Sequence, residues 1–151
     1  MIALRAARDD DSAELAEVFC AARRVGMPYL REPLPSAREI DRWLAKSVLP
    51  SAVVTVAERD GAILGYTVLD GDHLDQLYIH PDAWSLGVGS ALLQDAQRRH
   101  PDGVSLFVFQ ANTRARSLYE RHGFRIEALN DGSGNMEGLP DALYVWGEPA
   151  P

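Results

Sequence analysis

The residue types best suited to chemistry occur in two stretches of the chain, about twenty residues apart. The first is a glycine-bearing loop, Ser85 to Ser90, followed by a run with helical spacing. Such a loop favours phosphate binding, because the first amides of a helix have no acceptor and the helix dipole adds positive potential. The second contains Asn112 and Tyr119, seven residues apart, which places both on one side of a helix.

Local signals define the elements that carry these residues. A short strand around Tyr78 ends at Pro81, which cannot continue a ladder. Asn112 is a suitable N-cap and Gly123 a suitable residue just past the C-terminus of a helix. Taken singly, each stretch is also compatible with a plain strand-to-helix turn or an amphipathic helix with a half-buried tyrosine.

Together the two stretches resemble the GNAT N-acetyltransferase superfamily. Its pattern is a strand ending in Pro, a [Q/R]-x-x-G-x-[G/A] loop, and then N-x-x-A-x-x-x-Y-x-x-x-G-F. The second part is complete here, at Asn112, Ala115, Tyr119, Gly123 and Phe124. The first part departs from the pattern, since Trp84 stands where the family has Gln or Arg.

The resemblance implies a single domain over residues 1–151 with an α/β (α+β) fold. The expected architecture is a mixed, mostly antiparallel seven-stranded sheet flanked by about four helices. The predicted order of elements, β-α-α-β-β-β-α-β-α-β-β, fits that fold. Within it, a capping box at Ser36 and Glu39 predicts a second helix that runs to about Ser47.

The resemblance also implies a cosubstrate, acetyl-CoA, held where the central strand splays from the next one. The backbone of Leu77–Ile79 would hold the pantetheine arm, and Asn112 would hydrogen-bond it. Tyr119 would protonate the departing sulfur. Amides of the loop would cradle the pyrophosphate, at Ser85, Leu86, Gly87, Val88, Gly89 and Ser90. Trp84 is expected to pack over this loop and to leave phosphate binding to the amides.

The resemblance does not identify the general base, because GNAT enzymes use a carboxylate, a histidine or a water chain. Ribosomal-protein acetylases have a Glu where this chain has Phe107, which counts against such a substrate. Histone-type acetylases have a Glu where His73 falls. We expect His73 and Asp75 on one face of a strand, with His73 acting as base directly or through water. The alternative is that His73 is a polar residue at the start of the strand that only hydrogen-bonds to backbone groups.

The acceptor would be a primary amine of a small molecule or a peptide. A connector, residues 26–35, is expected to form a wall of its pocket through Met27, Tyr29 and Leu30. A second segment, residues 130–141, is glycine-rich and acidic. Its side chains that can attract an amine are Asp131, Glu137 and Asp141, although a solvated loop is the simpler interpretation.

Composition narrows the remaining possibilities. The net charge of −7 argues against binding to nucleic acid or an anionic membrane. No apolar run approaches the roughly 20 residues of a membrane span. One cysteine excludes an internal disulfide framework and suits the cytoplasm, and no Cys/His spacing indicates a metal. Homodimer contacts through the C-terminal strands are possible, at Leu143, Val145 and Trp146, which are equally compatible with plain core.

The sequence therefore predicts an acetyl-CoA-dependent N-acetyltransferase that acts by direct attack in a ternary complex. The alternative is a non-catalytic CoA-binding or sensor protein with the same fold. Trp84 in place of Gln or Arg and the unassigned general base are both compatible with that alternative. An unrelated nucleotide-binding domain is disfavoured, because the third glycine of G-x-G-x-x-G and the G-K-[ST] of a P-loop are missing.

Overall fold

The computed structural model of the chain describes residues 1–150. One sheet contains the strands β1 (Ala3–Ala6), β2 (Val53–Arg59), β3 (Ala62–Asp70), β4 (His73–Ile79), β5 (Gly103–Phe109), β6 (Arg125–Asn130) and β7 (Asp141–Gly147). Its helices are α1 (Ser12–Gly26), α2 (Ala37–Trp43), α3 (Val88–Arg99) and α4 (Thr113–Arg121). The strand order is β1-β2-β3-β4-β5-β7-β6. Only β4 and β5 pair in parallel among these neighbours, which confirms the predicted mixed, mostly antiparallel fold.

The capping box at the start of α2 forms as predicted, and the helical segment continues to Val48, one residue past the predicted end. The Ser36 hydroxyl accepts from the Glu39 amide at 3.1 Å, and Glu39 accepts from the Ser36 amide at 3.3 Å. After Trp43 the chain continues as a π-helical turn, Leu44–Val48. Leu44 and Val48, at the two ends of this turn, are both buried in the core.

Helices cover the sheet on both faces. On one face α1 and α2 bury a cluster that includes Leu15, Leu44 and Tyr66. On the other face α3 and α4 pack over β5 and β7, in a cluster that includes Leu93 and Leu106. Each face therefore has its own apolar core, and the sheet between them positions the loops at its edge.

The central strands separate soon after they meet. β4 pairs with β5 only at His73–Ser105 and Leu74–Leu106, so the edge of β4 beyond Leu74 that faces β5 has no strand partner. On its other edge β4 carries a bulge, because Leu74 pairs with Leu69 while Gln76 pairs with Val68.

The bulge falls on Asp75, which has no partner on β3. An extra residue interrupts the alternation of side chains along a strand. Strict alternation therefore does not settle the face of Asp75, and its placement on the same face as His73 stays a prediction.

The side chains offered for dimer contacts lie inside the sheet. β7 is flanked by β5 on one side and β6 on the other, so neither of its edges is open. Val145 is buried, and Trp146 packs against Phe124 at a ring distance of 6.5 Å. These residues serve the core here, and a homodimer stays a prediction. Over residues 1–150, no helix is long and apolar enough to cross a membrane.

Candidate active site

Two cavities open where β4 and β5 diverge. The loop cavity, of about 190 Å³, lies against the glycine loop. It is lined by nearly all of the residues that the sequence assigned to the cosubstrate: Leu77, Tyr78, Ile79, Ser85, Gly87, Val88, Gly89, Ser90 and Asn112, together with Tyr119. Leu86 is the exception among these predicted residues. Its side chain is 43% exposed, and it lines a separate depression on the surface.

The glycine loop presents unpaired amides to the loop cavity. The first hydrogen bond of α3 runs from the Ala91 amide to the Gly87 carbonyl at 3.0 Å. The amides of Val88, Gly89 and Ser90 therefore have no acceptor within the helix. Gly87 sits at φ +82°, which turns the chain into the helix and favours glycine. A left-handed residue followed by a helical one forms a concavity suited to anions.

The two other small residues of the loop have structural partners. A Cβ added to Gly89 would lie 3.0 Å from the Leu118 Cδ2 atom, so glycine there lets α3 approach α4 closely. The Ser90 hydroxyl is 2.9 Å from the His122 Nε2 atom. Ser90 therefore offers its amide to the cavity, while its hydroxyl ties the start of α3 to the end of α4.

Trp84 is held in place next to the glycine loop. Its indole Nε1–H donates to the Ile79 carbonyl at 3.2 Å. The Arg114 guanidinium lies 4.0 Å from the centroid of the indole ring. Both side chains line the loop cavity. The departure from the family pattern therefore brings a cation from α4 to the mouth of this cavity.

Asn112 and Tyr119 lie on one side of α4, as their spacing predicted. The Asn112 Oδ1 atom accepts from the Ala115 amide at 3.2 Å and caps the helix. Tyr119 is 6% exposed and packs against the rings of Phe124 and Tyr144. Burial raises the pKa of the Tyr119 phenol well above its ordinary value, so the group stays protonated at neutral pH.

The acidic cavity, of about 200 Å³, lies on the other side of the splay. Carboxylates of Asp75, Glu137 and Asp141 line it, together with Arg23. Both oxygens of Asp141 accept from asparagine side chains, whereas the nearest cation to Glu137 is Arg23, at 3.8 Å between Oε2 and Nη2. Arg23 also donates from Nε to the Tyr78 hydroxyl at 3.1 Å. An acidic lining of this kind favours a cationic ligand.

The two cavities meet at a small set of shared residues. Leu77, Tyr78, Asn112, Ala115, Tyr119 and Met27 line both. Of the connector residues expected to form the acceptor wall, Met27 is in place. Leu30 is buried, and Tyr29 packs edge-on against Phe109 at 5.9 Å. Asp131 accepts from the Ser133 amide in the exposed part of its loop.

His73 lies away from this junction. Its Nδ1 atom is 2.9 Å from the Ser105 hydroxyl, and its ring packs against Phe107. Neither cavity includes it among its lining residues. The interpretation from sequence missed Arg23 and Arg114. The only available signal was the position of Arg114 two residues after the capping Asn112.

Comparison with known proteins identifies the domain. Residues 50–126 match the family described as "Acetyltransferase (GNAT) domain". The chain belongs to the GNAT family of acetyltransferases. It is therefore an acyltransferase by family, as the two motifs predicted.

Several GNAT proteins resemble the chain along most of its length. Peptidyl-lysine N-acetyltransferase YjaB of Escherichia coli is 30% identical over 96% of this chain and 98% of its own. YiaC of the same organism, also named a peptidyl-lysine N-acetyltransferase, is 31% identical over 82% and 83%. The solution structure of apo YjaB superposes with a TM-score of 0.80 over 98% of this chain and 99% of that one, at 25% identity.

A further solved structure shares the fold and carries the cofactor. PaiA N-acetyltransferase of Thermoplasma acidophilum, in complex with coenzyme A, superposes with a TM-score of 0.73 at 18% identity over 98% of this chain and 99% of that one. Among residues 1–150, no group of three or more His, Cys, Asp or Glu side chains is placed to hold a metal ion.

Proposed function

We propose that this protein transfers the acetyl group of acetyl-CoA to a primary amine of a small molecule or a peptide, by direct attack in a ternary complex. The observation that carries the proposal is the junction at Tyr119, where a cavity lined by free amides meets a cavity lined by carboxylates. A phosphate-bearing donor suits the first cavity and an ammonium-bearing acceptor suits the second.

The loop cavity fits coenzyme A. The unpaired amides of Val88, Gly89 and Ser90 would hold the pyrophosphate. The unpartnered edge of β4, from Asp75 to Ile79, offers backbone groups to the pantetheine arm in the way one strand pairs with another. One part of this edge is already used, because the Ile79 carbonyl accepts from Trp84. The Asn112 side chain, bonded through Oδ1 to its own helix, has its amide nitrogen left for the arm.

Tyr119 is proposed as the general acid. The bound thioester supplies an activated acetyl group, and attack by the amine forms a C–N bond while the C–S bond breaks. Tyr119 gives its proton to the leaving sulfur, which would otherwise depart as a thiolate, and the attacking nitrogen loses a proton as the amide forms, so that Tyr119 regains a proton and no net proton is consumed. Its buried, protonated state suits this role. A protein that only senses CoA has no need of an acid at this junction.

The acceptor ammonium must lose a proton before it attacks. Asp75 and Glu137 line the acidic cavity, and we assign proton acceptance to these carboxylates, directly or through water. Their position supports them over His73, whose ring is bonded to Ser105 outside the cavity lining. The same carboxylates would attract the positively charged amine before it is deprotonated.

The names of the similar E. coli proteins favour a lysine side chain as the acceptor. The length and aliphatic stem of lysine would allow its amine to enter the acidic cavity from the surface. Phe107, 54% exposed at the rim, provides apolar area for that stem. A cytoplasmic location and a peptide or small-molecule acceptor are parts of this proposal.

Calorimetric titration with acetyl-CoA and with free CoA, followed by thiol release in the presence of lysine peptides, tests the proposal. We expect micromolar binding of both and thiol release only when an acceptor is present. Binding without turnover on any lysine peptide or small amine would favour the sensor alternative. No binding of either compound would overturn the proposal.

A further inference from the structure

We propose that Arg114, held on the ring face of Trp84, is the side chain that binds a phosphate of the cofactor in this protein. The inference rests on the proposed function, since it places coenzyme A in the loop cavity. It accounts for the loss of the polar residue that the family has at position 84, because the cation is supplied instead from α4.

Trp84 forms a rigid platform. Its indole nitrogen is bonded to the Ile79 carbonyl, and its ring abuts the end of α1, where a Cβ on Gly26 would lie 3.4 Å from the ring. The ring is therefore held from two sides. A guanidinium at 4.0 Å from its centroid is within the range of a cation–π interaction.

Arg114 is an exposed cation at a position that the helix dipole disfavours. It is the second residue of α4, and positive charge at a helix N-terminus is opposed by the helix dipole. Among residues 1–150, its guanidinium forms no hydrogen bond or ion pair, and the Trp84 ring is its only charge-related partner. Arg121 lines the same cavity, but it lies in the last turn of the helix, where the dipole favours it.

Two sources of positive potential therefore converge on one cavity. The free amides at the start of α3 and the guanidinium of Arg114 both border it. An anion between them would satisfy both groups. A guanidinium stacked on an aromatic ring keeps its N–H edge free, and that edge matches the oxygens of a phosphate. The chemistry fits either the pyrophosphate or the 3′-phosphate of coenzyme A.

The test is calorimetric titration of Arg114→Met and wild type with three probes: CoA, 3′-dephospho-CoA and pantetheine. Arg98→Met is the matched control, since Arg98 is an exposed arginine on α3 outside the cavity lining. We expect Arg114→Met to weaken CoA binding by about ten-fold. We expect the control to bind like wild type and pantetheine binding to be unchanged in all three proteins.

The probes separate the two phosphates. A loss confined to CoA assigns Arg114 to the 3′-phosphate, and an equal loss with 3′-dephospho-CoA assigns it to the pyrophosphate. Unchanged CoA affinity in Arg114→Met overturns the proposal, as does an equal loss with pantetheine. Failure of the wild-type protein to bind CoA would instead overturn the proposed function.

A double-mutant cycle tests the platform. Trp84→Leu removes the aromatic face, whereas Trp84→Phe keeps a smaller aromatic face and removes the bond to Ile79 and part of the contact with Gly26. We expect Trp84→Leu to weaken CoA binding in the wild-type background and to have little further effect in Arg114→Met. Trp84→Phe should retain most of the affinity. Additive losses would overturn the role of Trp84, and circular dichroism of each variant checks that it is folded.

Discussion

The two cavities that meet at Tyr119 are built in different ways. The loop cavity takes most of its proposed phosphate contacts from one contiguous segment, residues 85–90, and mainly from backbone amides. The acidic cavity takes its charged groups from side chains on distant elements: Arg23 on α1, Asp75 on β4, and Glu137 in the loop before β7. The first is a property of local chain geometry, and the second depends on how elements come together.

This difference implies that substitutions on the two sides should separate in their effects. Changes to the loop should alter affinity for the cofactor, and changes to the acidic cavity should alter the use of the acceptor. Only residues at the junction should affect the chemical step alone. Each of the following experiments is designed to test this separation.

Tyr119→Phe should have the largest effect. It removes the proposed acid and keeps the buried ring, so turnover should fall by about ten-fold or more with little change in acetyl-CoA affinity. Steady-state kinetics and calorimetry measure the two quantities. Tyr66→Phe is the matched control, since it also removes a buried hydroxyl and Tyr66 lines neither cavity, although its partner Gln76 borders the acidic cavity. An unchanged rate in Tyr119→Phe would remove Tyr119 from the mechanism.

Gly87→Ala should weaken CoA binding, because a residue with a side chain disfavours the left-handed backbone conformation that orients the loop amides toward the cavity. Gly61→Ala is a close control, since Gly61 has φ +81° against +82° at Gly87 and neither has an atom near an added Cβ. Both variants should lose about 1 kcal/mol in free energy of unfolding, measured by urea denaturation. Only Gly87→Ala should lose CoA affinity, and equal CoA affinity in the two would contradict the proposed role of the loop.

Glu137→Gln should raise the KM for the amine by about five-fold, because it removes one carboxylate from the acidic cavity. Acetyl-CoA affinity should stay at the wild-type value. Glu127→Gln, at an exposed site on β6, controls for the change in net charge. A loss of cofactor affinity in Glu137→Gln would show that the two cavities do not separate as proposed.

His73→Ala should have the smallest effect. Its ring lies outside both cavity linings, so the rate and the acidic limb of the pH–rate profile should stay close to wild type. Asp75→Asn serves as the comparison, and it should change that limb if a carboxylate accepts the proton. A flattened limb in His73→Ala would instead support His73 as the base.

The sequence predicted the parts of the molecule that depend on local patterns. The order of the elements along the chain, the Asn112 cap and the shared side of Asn112 and Tyr119 on α4 follow from turn chemistry and helical spacing. These features are encoded within a few neighbouring residues. That is why a family pattern with fixed spacing locates most of the loop cavity.

The remaining features depend on contacts between distant segments. The bulge at Asp75 appears only in the pairing of β4 with β3, and it interrupts the alternation of side chains that the sequence predicts for β4. The stacking of Arg114 on Trp84 joins residues thirty positions apart. Arg23 enters the acidic cavity because α1 packs against β4 through Phe19 and Tyr78. No local pattern specifies such meetings.

The brief pairing of β4 with β5 has a mechanical consequence. Two residue pairs carry the only backbone ladder between the β1–β4 half of the sheet and the β5–β7–β6 half. Elsewhere the halves are joined by side-chain contacts, such as the packing of α3 and α4, the contact of His73 with Ser105 and the ion pair of Arg23 with Glu137. We therefore expect the two halves to behave as separate cooperative units, with different degrees of protection of their amides from hydrogen exchange. A ligand bound between the two halves should stabilise their association, since its binding free energy adds to the free energy needed to separate the halves.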